Sequence, residues 1–358
     1  MRYIFIVQGE GRGHMTQAIA LSDLLISAGH EICHVFIGKS ERRKIPSFFH
    51  QRILCPITEL ASPNFVTDLQ NKRVKVIPSV FYNLKYYQKY FSSMAAIDNV
   101  VKEKKPGVII NFYDILGGLY FGYYRPRAKI VALGHQFLTG HPEFQFAPGM
   151  LDRNLFITNN QLTSIRADLH LALSFMPYLP DRYKKTVVTP PLLRKEVFEL
   201  KPTKGDYILA YMVNDGYAQE IMEWHLQHRE IKVHCFWDRK DEPEILQVHE
   251  NLHFHQLNAE KYLDYMSKCS GLITTAGFES VCEAMYLGKP VMMIPVAGQY
   301  EQSCNAIDAE KAGAGISDQR FNISRLLDFI PVYQDISATF KQWVDQSKAI
   351  ILKELTSK

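Results

Sequence analysis

The chain has 358 residues, a length that predicts two domains, each large enough to bury a core of its own. Hydrophobic residues make up 47% and charged residues 22%, as in soluble globular proteins, and a formal charge of +4 is too small to indicate a nucleic-acid-binding protein. The six cysteines show neither Cys-x-x-Cys pairs nor zinc-ligand spacing, so we expect a reduced, cytoplasmic protein. No apolar run approaches the roughly 20 residues of a membrane span, so we expect neither a signal peptide nor a membrane helix.

The first predicted elements are a strand, a glycine-rich turn and a helix. Residues 3–7 are apolar, Gly-Glu-Gly-Arg-Gly-His follows at 9–14, and residues 15–28 have apolar side chains at helical spacing. This order predicts an open parallel sheet with a site at the carboxyl end of the strand. A dinucleotide-binding fold needs Gly-x-Gly-x-x-Gly and an acidic residue where the second strand ends. Here the glycine spacing differs and the second strand, 31–37, runs into Gly38 and Lys39, so NAD or FAD binding is a weak alternative.

The stretch from residue 40 to residue 104 contains two kinds of sequence. Residues 40–75 are mixed and predicted to be rich in loops, whereas residues 80–104 predict a helix with an aromatic stripe and two lysines, Lys85 and Lys89. A half-buried helix whose lysines reach solvent is the simpler interpretation. The sharper one is a helix that lies on a membrane surface.

Polar residues follow two further predicted strands. Asn111 and Asp114 come after strand 108–110, and His135 comes after strand 129–133. Because the carboxyl ends of parallel strands meet at one edge of a sheet, we expect these side chains on the same rim as His14. Asp114 is equally suited to cap the helix that follows it. The remaining elements of this half are predicted at 155–166, 168–173 and 186–189, with a linker at 201–205.

The second half is organised around residues 270–306. A strand at 272–274 leads through a turn of small residues into a helix at 278–286, which Gly288 and Pro290 end before the next strand. Free amides and the helix dipole at such a turn favour a phosphate, and Glu283 on the same helix can accept hydrogen bonds from a ribose diol. The other elements are predicted at 207–211, 217–228, 232–236, 252–255 and 332–355, with a loop at 212–216 that can bring amides to a diphosphate.

Residues 270–306 resemble the donor-binding signature of GT-B glycosyltransferases, the superfamily of the UDP-glycosyltransferases and the peptidoglycan N-acetylglucosamine transferase. The opening at residues 9–14 resembles the start of their acceptor domain and is most similar to a bacterial group within the superfamily. The matching positions of the donor signature are Thr275, Gly277-Phe278-Glu279-Ser280, Glu283, Gly288-Lys289-Pro290, Pro295, Glu301-Gln302 and Asn305-Ala306.

The resemblance implies an α/β protein of the GT-B fold, with two Rossmann-like, doubly wound domains facing across a cleft. It implies an acceptor-binding domain at 1–200, a donor-binding domain at 201–330 and a C-terminal helix at 331–358 that crosses back to the first domain. The implied activity is inverting transfer of a hexose from a nucleotide-diphosphate sugar, UDP-linked, to an acceptor hydroxyl. No metal and no cofactor beyond the donor substrate is expected.

The resemblance also implies roles for individual residues. His14 is the expected general base, and Asn111 occupies the position where many relatives carry the aspartate that orients it, with Asp114 three residues on as a substitute. Independently of the resemblance, the position of His135 after the end of a strand makes it the expected acceptor contact. The predicted donor-binding residues are Gly13, Asn214, Thr275, Gly277, Phe278, Ser280, Glu283, Glu301 and Gln302.

Departures from the family pattern leave alternatives open. The positions of the base-stacking Trp and the ribose-binding Gln of plant-type enzymes hold Leu257 and Glu260, so recognition of uracil cannot be carried over. Asn111 gives weight to a catalytically inactive nucleotide-sugar-binding protein, and an epimerase or hydrolase on the same fold is a further alternative. The acceptor is a glycan, a lipid-linked molecule or a small molecule, and peripheral contact with the inner face of a membrane is expected for the lipid-linked case.

Overall fold

The computed structural model describes residues 1–40, 44–64, 82–179, 185–212, 216–239 and 241–357. The chain divides into two compact units, Met1–Arg194 with Val344–Lys358, and Lys195–Trp343. Each unit is built on a seven-stranded, largely parallel sheet with helices, which is the α/β class that the sequence predicts.

The first sheet has the strand order β3-β2-β1-β4-β5-β6-β7, and all neighbouring strands are parallel. The central strand β1 is an almost unbroken apolar run because both of its faces are buried. The strands are β1 (Arg2–Gln8), β2 (Glu31–Lys39), β3 (Ile57–Ala61), β4 (Val108–Phe112), β5 (Lys129–Leu133), β6 (Leu169–Leu173) and β7 (Thr186–Thr189), and the helices are α1 (Arg12–Ser27), α2 (Ser47–Arg52), α3 (Tyr87–Lys104), α4 (Ile115–Tyr124) and α5 (Met150–Thr163).

Two predictions for the first unit are wrong in detail. The segment expected to be loops contains α2, of 6 residues, and β3, of 5 residues, and both are too short to show a distinctive apolar pattern in sequence. Strand β4 continues to Phe112, so Asn111 lies within the sheet, paired with Ile6 and Ala132, instead of following the strand. The order of strands reverses between β1 and β4, and such a switch point leaves a crevice at their carboxyl ends.

The second sheet has the order β10-β11-β9-β8-β12-β13-β14. Its strands β10 and β11 pair antiparallel, and the other neighbouring strands pair parallel over the described residues. Its strands are β8 (Tyr207–Tyr211), β9 (Lys232–Trp237), β10 (Ile245–His249), β11 (Leu252–Gln256), β12 (Gly271–Thr274), β13 (Val291–Met293) and β14 (Gly315–Ser317). Its helices are α6 (Lys195–Glu199), α7 (Gly216–His225), α8 (Ala259–Lys268), α9 (Phe278–Tyr286), α10 (Tyr300–Lys311), α11 (Ile323–Phe329) and α12 (Ser337–Asp345), the last of which spans the division between the units.

The C-terminal segment forms two helices where one was predicted. Helix α12 ends at Asp345 and α13 (Ser347–Thr356) follows after Gln346. The Lys129 ammonium on β5 donates to the carbonyl oxygens of Glu354 and Ser357, at 2.7 and 2.9 Å, where the dipole of α13 favours a cation. This contact attaches α13 to the first sheet. No helix in the described ranges is both long and apolar enough to cross a membrane.

Candidate active site

The junction of β1 with α1 is a tight turn that only small residues permit. The Gly9 amide donates to the carbonyl oxygen of Gly38 on β2 at 2.7 Å, and a Cβ atom at Gly9 would lie 2.8 Å from that oxygen. Gly11 has extended backbone and forms the N-cap of α1 without a side-chain hydrogen bond. His14 is therefore the third residue of the helix, at the carboxyl end of the central strand.

The His14 imidazole is held on three sides. Its Nδ1 atom lies 3.3 Å from Oε1 of Gln17, one turn further along α1, and its Nε2 atom lies 3.4 Å from Nε2 of Gln136. Its ring stacks on that of Tyr113, with centroids 5.5 Å apart and an interplanar angle of 26°. Only 8% of the residue is exposed.

Burial decides the charge of this histidine. Removal from water disfavours the imidazolium and lowers the pKa of His14 to about 4, although the hydrogen bond with Gln17 acts in the opposite direction. The ring is therefore neutral near pH 7 and has a lone pair that can take a proton.

Tyr113 and Asn160 connect the neighbours of His14 into one network. The Tyr113 hydroxyl donates to Oδ1 of Asn160, and Nδ2 of Asn160 donates to the backbone oxygen of Gln136 at 2.9 Å. Tyr113 has a φ of 62°, a left-handed conformation that is strained for a bulky residue and that persists where surrounding contacts fix it. The network holds Tyr113 and Gln136 against the imidazole.

Asn111 and Asp114 form hydrogen bonds with groups other than His14. The Asn111 amide donates to the backbone oxygens of Asp114 and Thr163, at 2.8 and 2.6 Å, and so shapes the turn after β4. Asp114 caps α4, accepting from the Leu116 amide at 2.8 Å, and it accepts from the Ser62 hydroxyl at 2.9 Å. Burial raises the pKa of Asp114 to about 6. Neither side chain hydrogen-bonds the His14 imidazole within the described ranges, so their orienting role stays a prediction.

His135 lies at the expected edge of the sheet, but one nitrogen of its ring hydrogen-bonds a backbone oxygen. It begins the 3₁₀ helix His135–Gly140 after β5, and its Nδ1 atom donates to the Leu173 carbonyl oxygen at 2.8 Å. The residue beside it, Gln136, is the one that reaches His14. His135 and Gln136 both follow β5, and the sequence alone does not identify which of the two contacts His14.

The second candidate site is the junction of β12 with α9. The Gly277 amide donates to the Thr275 carbonyl oxygen at 2.5 Å, and α9 begins at Phe278 with Gly277 as an N-cap that makes no side-chain hydrogen bond. Asn305 on α10 donates from Nδ2 to the Ala276 carbonyl oxygen at 3.0 Å and fixes the turn from behind. Helix termini of this kind present amides and a positive dipole end to an anion.

The other predicted donor residues have different environments. Glu283 is on α9 and only 1% exposed, whereas Ser280 and Glu301 are half-buried. Oε1 of Gln302 accepts from the Val296 amide at 2.9 Å and so fixes the loop after β13. Gly13 is the second residue of α1, and Asn214 lies outside the described residues.

The contacts of His14 with Gln17, Gln136 and Tyr113 were not predicted from sequence. Gln17 could have been found, because residues three apart on a helix face the same side. Gln136 could be placed on the rim but not against His14, since the two are 122 positions apart in the chain and meet only through the packing of the fold. Within the part of the chain that the structure describes, no three His, Cys, Asp or Glu side chains converge as a metal site requires.

A family model described as glycosyl transferase family 1 matches residues 1–332. The chain belongs to this family. A comparison with curated proteins found no match. Membership confirms the resemblance seen in the sequence. It also agrees with the general activity predicted there, the transfer of a sugar to an acceptor.

Solved structures of glycosyltransferases share the fold of the whole chain. A UDP-glucosyltransferase from Polygonum tinctorium has a TM-score of 0.64 at 11% identity over 100% of this chain and 99% of that chain. Phytolacca americana UGT2 has a TM-score of 0.63 at 12% identity, over 99% and 97%. Acinetobacter baumannii MurG has a TM-score of 0.57 at 16% identity, over 99% of each chain. These likenesses confirm the GT-B fold.

Proposed function

We propose that this protein transfers a hexose from a UDP-linked donor to an acceptor hydroxyl, with inversion at the anomeric carbon. The observation that carries the proposal is the β12–α9 junction: backbone amides at a helix terminus without a side-chain cap, followed on the same helix by the buried Glu283. Amides suit the diphosphate, and a carboxylate suits the ribose hydroxyls. The UDP-glucosyltransferase of Polygonum tinctorium, and Phytolacca americana UGT2 in its complex with UDP-2-fluoro-glucose, support UDP as the nucleotide.

The reaction that we propose is a single displacement. Nε2 of His14 removes the proton of the acceptor hydroxyl as its oxygen attacks the anomeric carbon on the face opposite the diphosphate. The bond between that carbon and the diphosphate oxygen breaks, and its electron pair leaves on the diphosphate. Amides at Thr275 to Ser280 stabilise the negative charge of the leaving group, and we propose that no metal or cofactor is required. Glu301 and Gln302 contact the sugar hydroxyls in this proposal.

We further propose that the protein is cytoplasmic and contacts an anionic membrane surface through an aromatic–basic surface on α3, the residues just before it, and α4. Leu84, Tyr87, Phe91 and Tyr123 are 60%, 51%, 47% and 65% exposed, and the last three rings are in edge contact in series. Lys85, Lys89 and Arg125 flank them, and neither residues 82–97 nor 115–129 include an acidic side chain. Aromatic and cationic side chains together favour an anionic lipid interface.

Vesicle co-sedimentation tests the membrane contact. Phe91→Ser with Tyr123→Ser should release the protein from phosphatidylglycerol vesicles, whereas Leu54→Ser, which removes an apolar residue that is 84% exposed outside the aromatic–basic surface, should not. Equal release by both variants, or equal binding to neutral phosphatidylcholine vesicles, would contradict the assignment.

Nucleotide binding followed by product analysis tests the main proposal. We expect UDP and UDP-hexoses, but not GDP or dTDP counterparts, to raise the melting temperature, since a ligand at 100 times its Kd adds about 2.7 kcal/mol of stability. With a panel of phenolic, sugar and lipid-linked acceptors, an α-linked donor should give a β-glycoside. Free sugar without acceptor indicates a hydrolase, a changed sugar indicates an epimerase, and binding without turnover indicates an inactive binding protein.

A further inference from the structure

Among the residues that the structure describes, His14 of the candidate active site has no charged hydrogen-bonding partner of the kind that the family pattern leads one to expect. The described hydrogen-bonding and stacking partners of His14 are Gln17, Gln136 and Tyr113, none of which is charged at neutral pH. Asn111 donates to the backbone oxygens of Asp114 and Thr163. Asp114 accepts from the Leu116 amide at the start of α4 and from the Ser62 hydroxyl. The group at Nδ1 of His14 is an amide oxygen.

That amide oxygen sets the tautomer of the imidazole. Oε1 of Gln17 can only accept, so the 3.3 Å contact requires a hydrogen atom on Nδ1 of His14. Nε2 of Gln136 can only donate, so the 3.4 Å contact on the other side requires a lone pair on Nε2 of His14. Both contacts therefore demand the same neutral tautomer, with Nε2 as the basic atom.

Gln17 is suited to hold this arrangement because it has little freedom to move. It is 2% exposed and lies one helical turn from His14 on α1, where residues three apart are neighbours. The stack on Tyr113 fixes the plane of the ring. The contact at 3.4 Å from Gln136 is long, so an incoming hydroxyl can replace it at little cost.

We propose that Gln17 is the positioning residue of this enzyme: it holds His14 as the Nδ1–H tautomer in the place of a carboxylate, and it thereby restricts transfer to acidic acceptor hydroxyls of the phenolic class. This inference rests on the proposed function in its choice of His14 as base. An amide orients the ring as a carboxylate does, but it does not stabilise the imidazolium that forms when Nε2 takes the proton. Proton transfer from a hydroxyl with a pKa near 10, as in a phenol, is far easier for such a base than transfer from an alcohol.

Nitrogen-15 NMR of the His14 ring tests the placement without any assay of activity. We expect an Nδ1–H signal and an unprotonated Nε2 in the parent protein at pH 7. Gln17→Leu should give a mixture of tautomers, and Gln17→Glu should keep the Nδ1–H tautomer while raising the pH at which the ring is protonated by at least one unit. Thr16→Ala, which removes a hydroxyl of the neighbouring residue bonded to the Arg12 carbonyl oxygen, is the control and should change neither.

Steady-state kinetics test the consequence for catalysis. Gln17→Leu should lower kcat on a phenolic acceptor by about 10–10²-fold, a part of what a general base contributes, at unchanged donor Kd. Gln17→Glu should keep kcat on the phenolic acceptor at or above the parent value. It should also move the acid limb of the pH profile to higher pH and extend activity to alkyl alcohols.

Two outcomes would overturn the inference. One is an Nε2–H tautomer in the parent protein, and the other is a well-folded Gln17→Leu variant with the parent tautomer and the parent kcat. If the parent protein has the expected tautomer but transfers no sugar to any acceptor, the proposed function fails while the placement of Gln17 holds. Equal rates on phenols and alkyl alcohols in the parent protein would reject the restriction to acidic acceptors.

Discussion

The junction of β1 with α1 and the junction of β12 with α9 are both connections from a strand through glycine to a helix, yet they present different chemical groups. At the first, a buried side chain, His14, faces two glutamines and a tyrosine ring. At the second, the groups on offer are backbone amides at the start of α9, because Gly277 caps the helix without a side-chain hydrogen bond. The chemistry of a side chain depends on neighbours that tertiary packing places beside it, whereas the position of backbone amides depends mainly on the conformation of the local turn.

This difference predicts how the two junctions respond to mutation. Loss of one side chain at the first junction should remove a chemical step and leave binding intact. Loss of one side chain at the second should weaken binding by a limited factor, since several amides share the anion.

The largest effect is expected at the first junction, from His14→Ala. If Nε2 of His14 is the general base, turnover should fall by about 10²–10⁴-fold while the Kd for the donor stays the same. Single-turnover kinetics and calorimetry on the same preparation measure the two quantities. His34→Ala is a matched control, because His34 is also 8% exposed in the same unit but hydrogen-bonds Thr58 within the sheet. Parent turnover in a folded His14→Ala protein would exclude His14 as base.

The pH dependence of the parent enzyme sharpens the same prediction. Burial lowers the pKa of His14 to about 4. Protonation of His14 should therefore not reduce kcat/KM near pH 7, and kcat/KM should fall only as the pH drops through about 4. The stability that the neutral ring contributes is fully present above its ordinary pKa of 6.5 and is lost as the pH falls toward 4. Activity must therefore be expressed per folded molecule, with circular dichroism recorded at each pH. An acid limb near pH 6.5 in kcat/KM would contradict a buried base.

A smaller effect is expected at the second junction, from Glu283→Ala. Loss of a charged acceptor for the ribose hydroxyls should weaken binding of the nucleotide by roughly 1–3 kcal/mol. Glu283→Gln should lose less, because an amide oxygen still accepts a hydrogen bond. Titration calorimetry with the bare nucleotide measures both variants. Unchanged affinity together with a lower melting temperature would make Glu283 a structural residue of the buried face of α9.

The two junctions also differ in how well sequence predicts them. At the second junction, helix Phe278–Tyr286 has the predicted bounds, because glycine, proline and small polar residues mark its ends locally. The contacts of His14 could not be predicted in the same way, since Gln136 and Tyr113 come from other strand ends and reach it only through tertiary packing. Strand pairing also extends β4 through Asn111, although a polar residue after three apolar ones indicated the end of a strand.

The smallest effect is expected from Asn305→Ala, which removes the hydrogen bond to the Ala276 carbonyl oxygen behind the turn. A typical intramolecular hydrogen bond contributes about 0.5–1.5 kcal/mol, so we expect donor affinity to fall by no more than roughly tenfold as the amides of α9 lose their fixed position. Asn251→Ala is a matched control, because Asn251 also donates from Nδ2 to a backbone oxygen, that of Arg229, but at an exposed site. Both variants should lose some stability, and only Asn305→Ala should lose donor affinity. If the two variants bind the donor equally well, the turn keeps its geometry without Asn305 and the amides are fixed by the glycine turn alone.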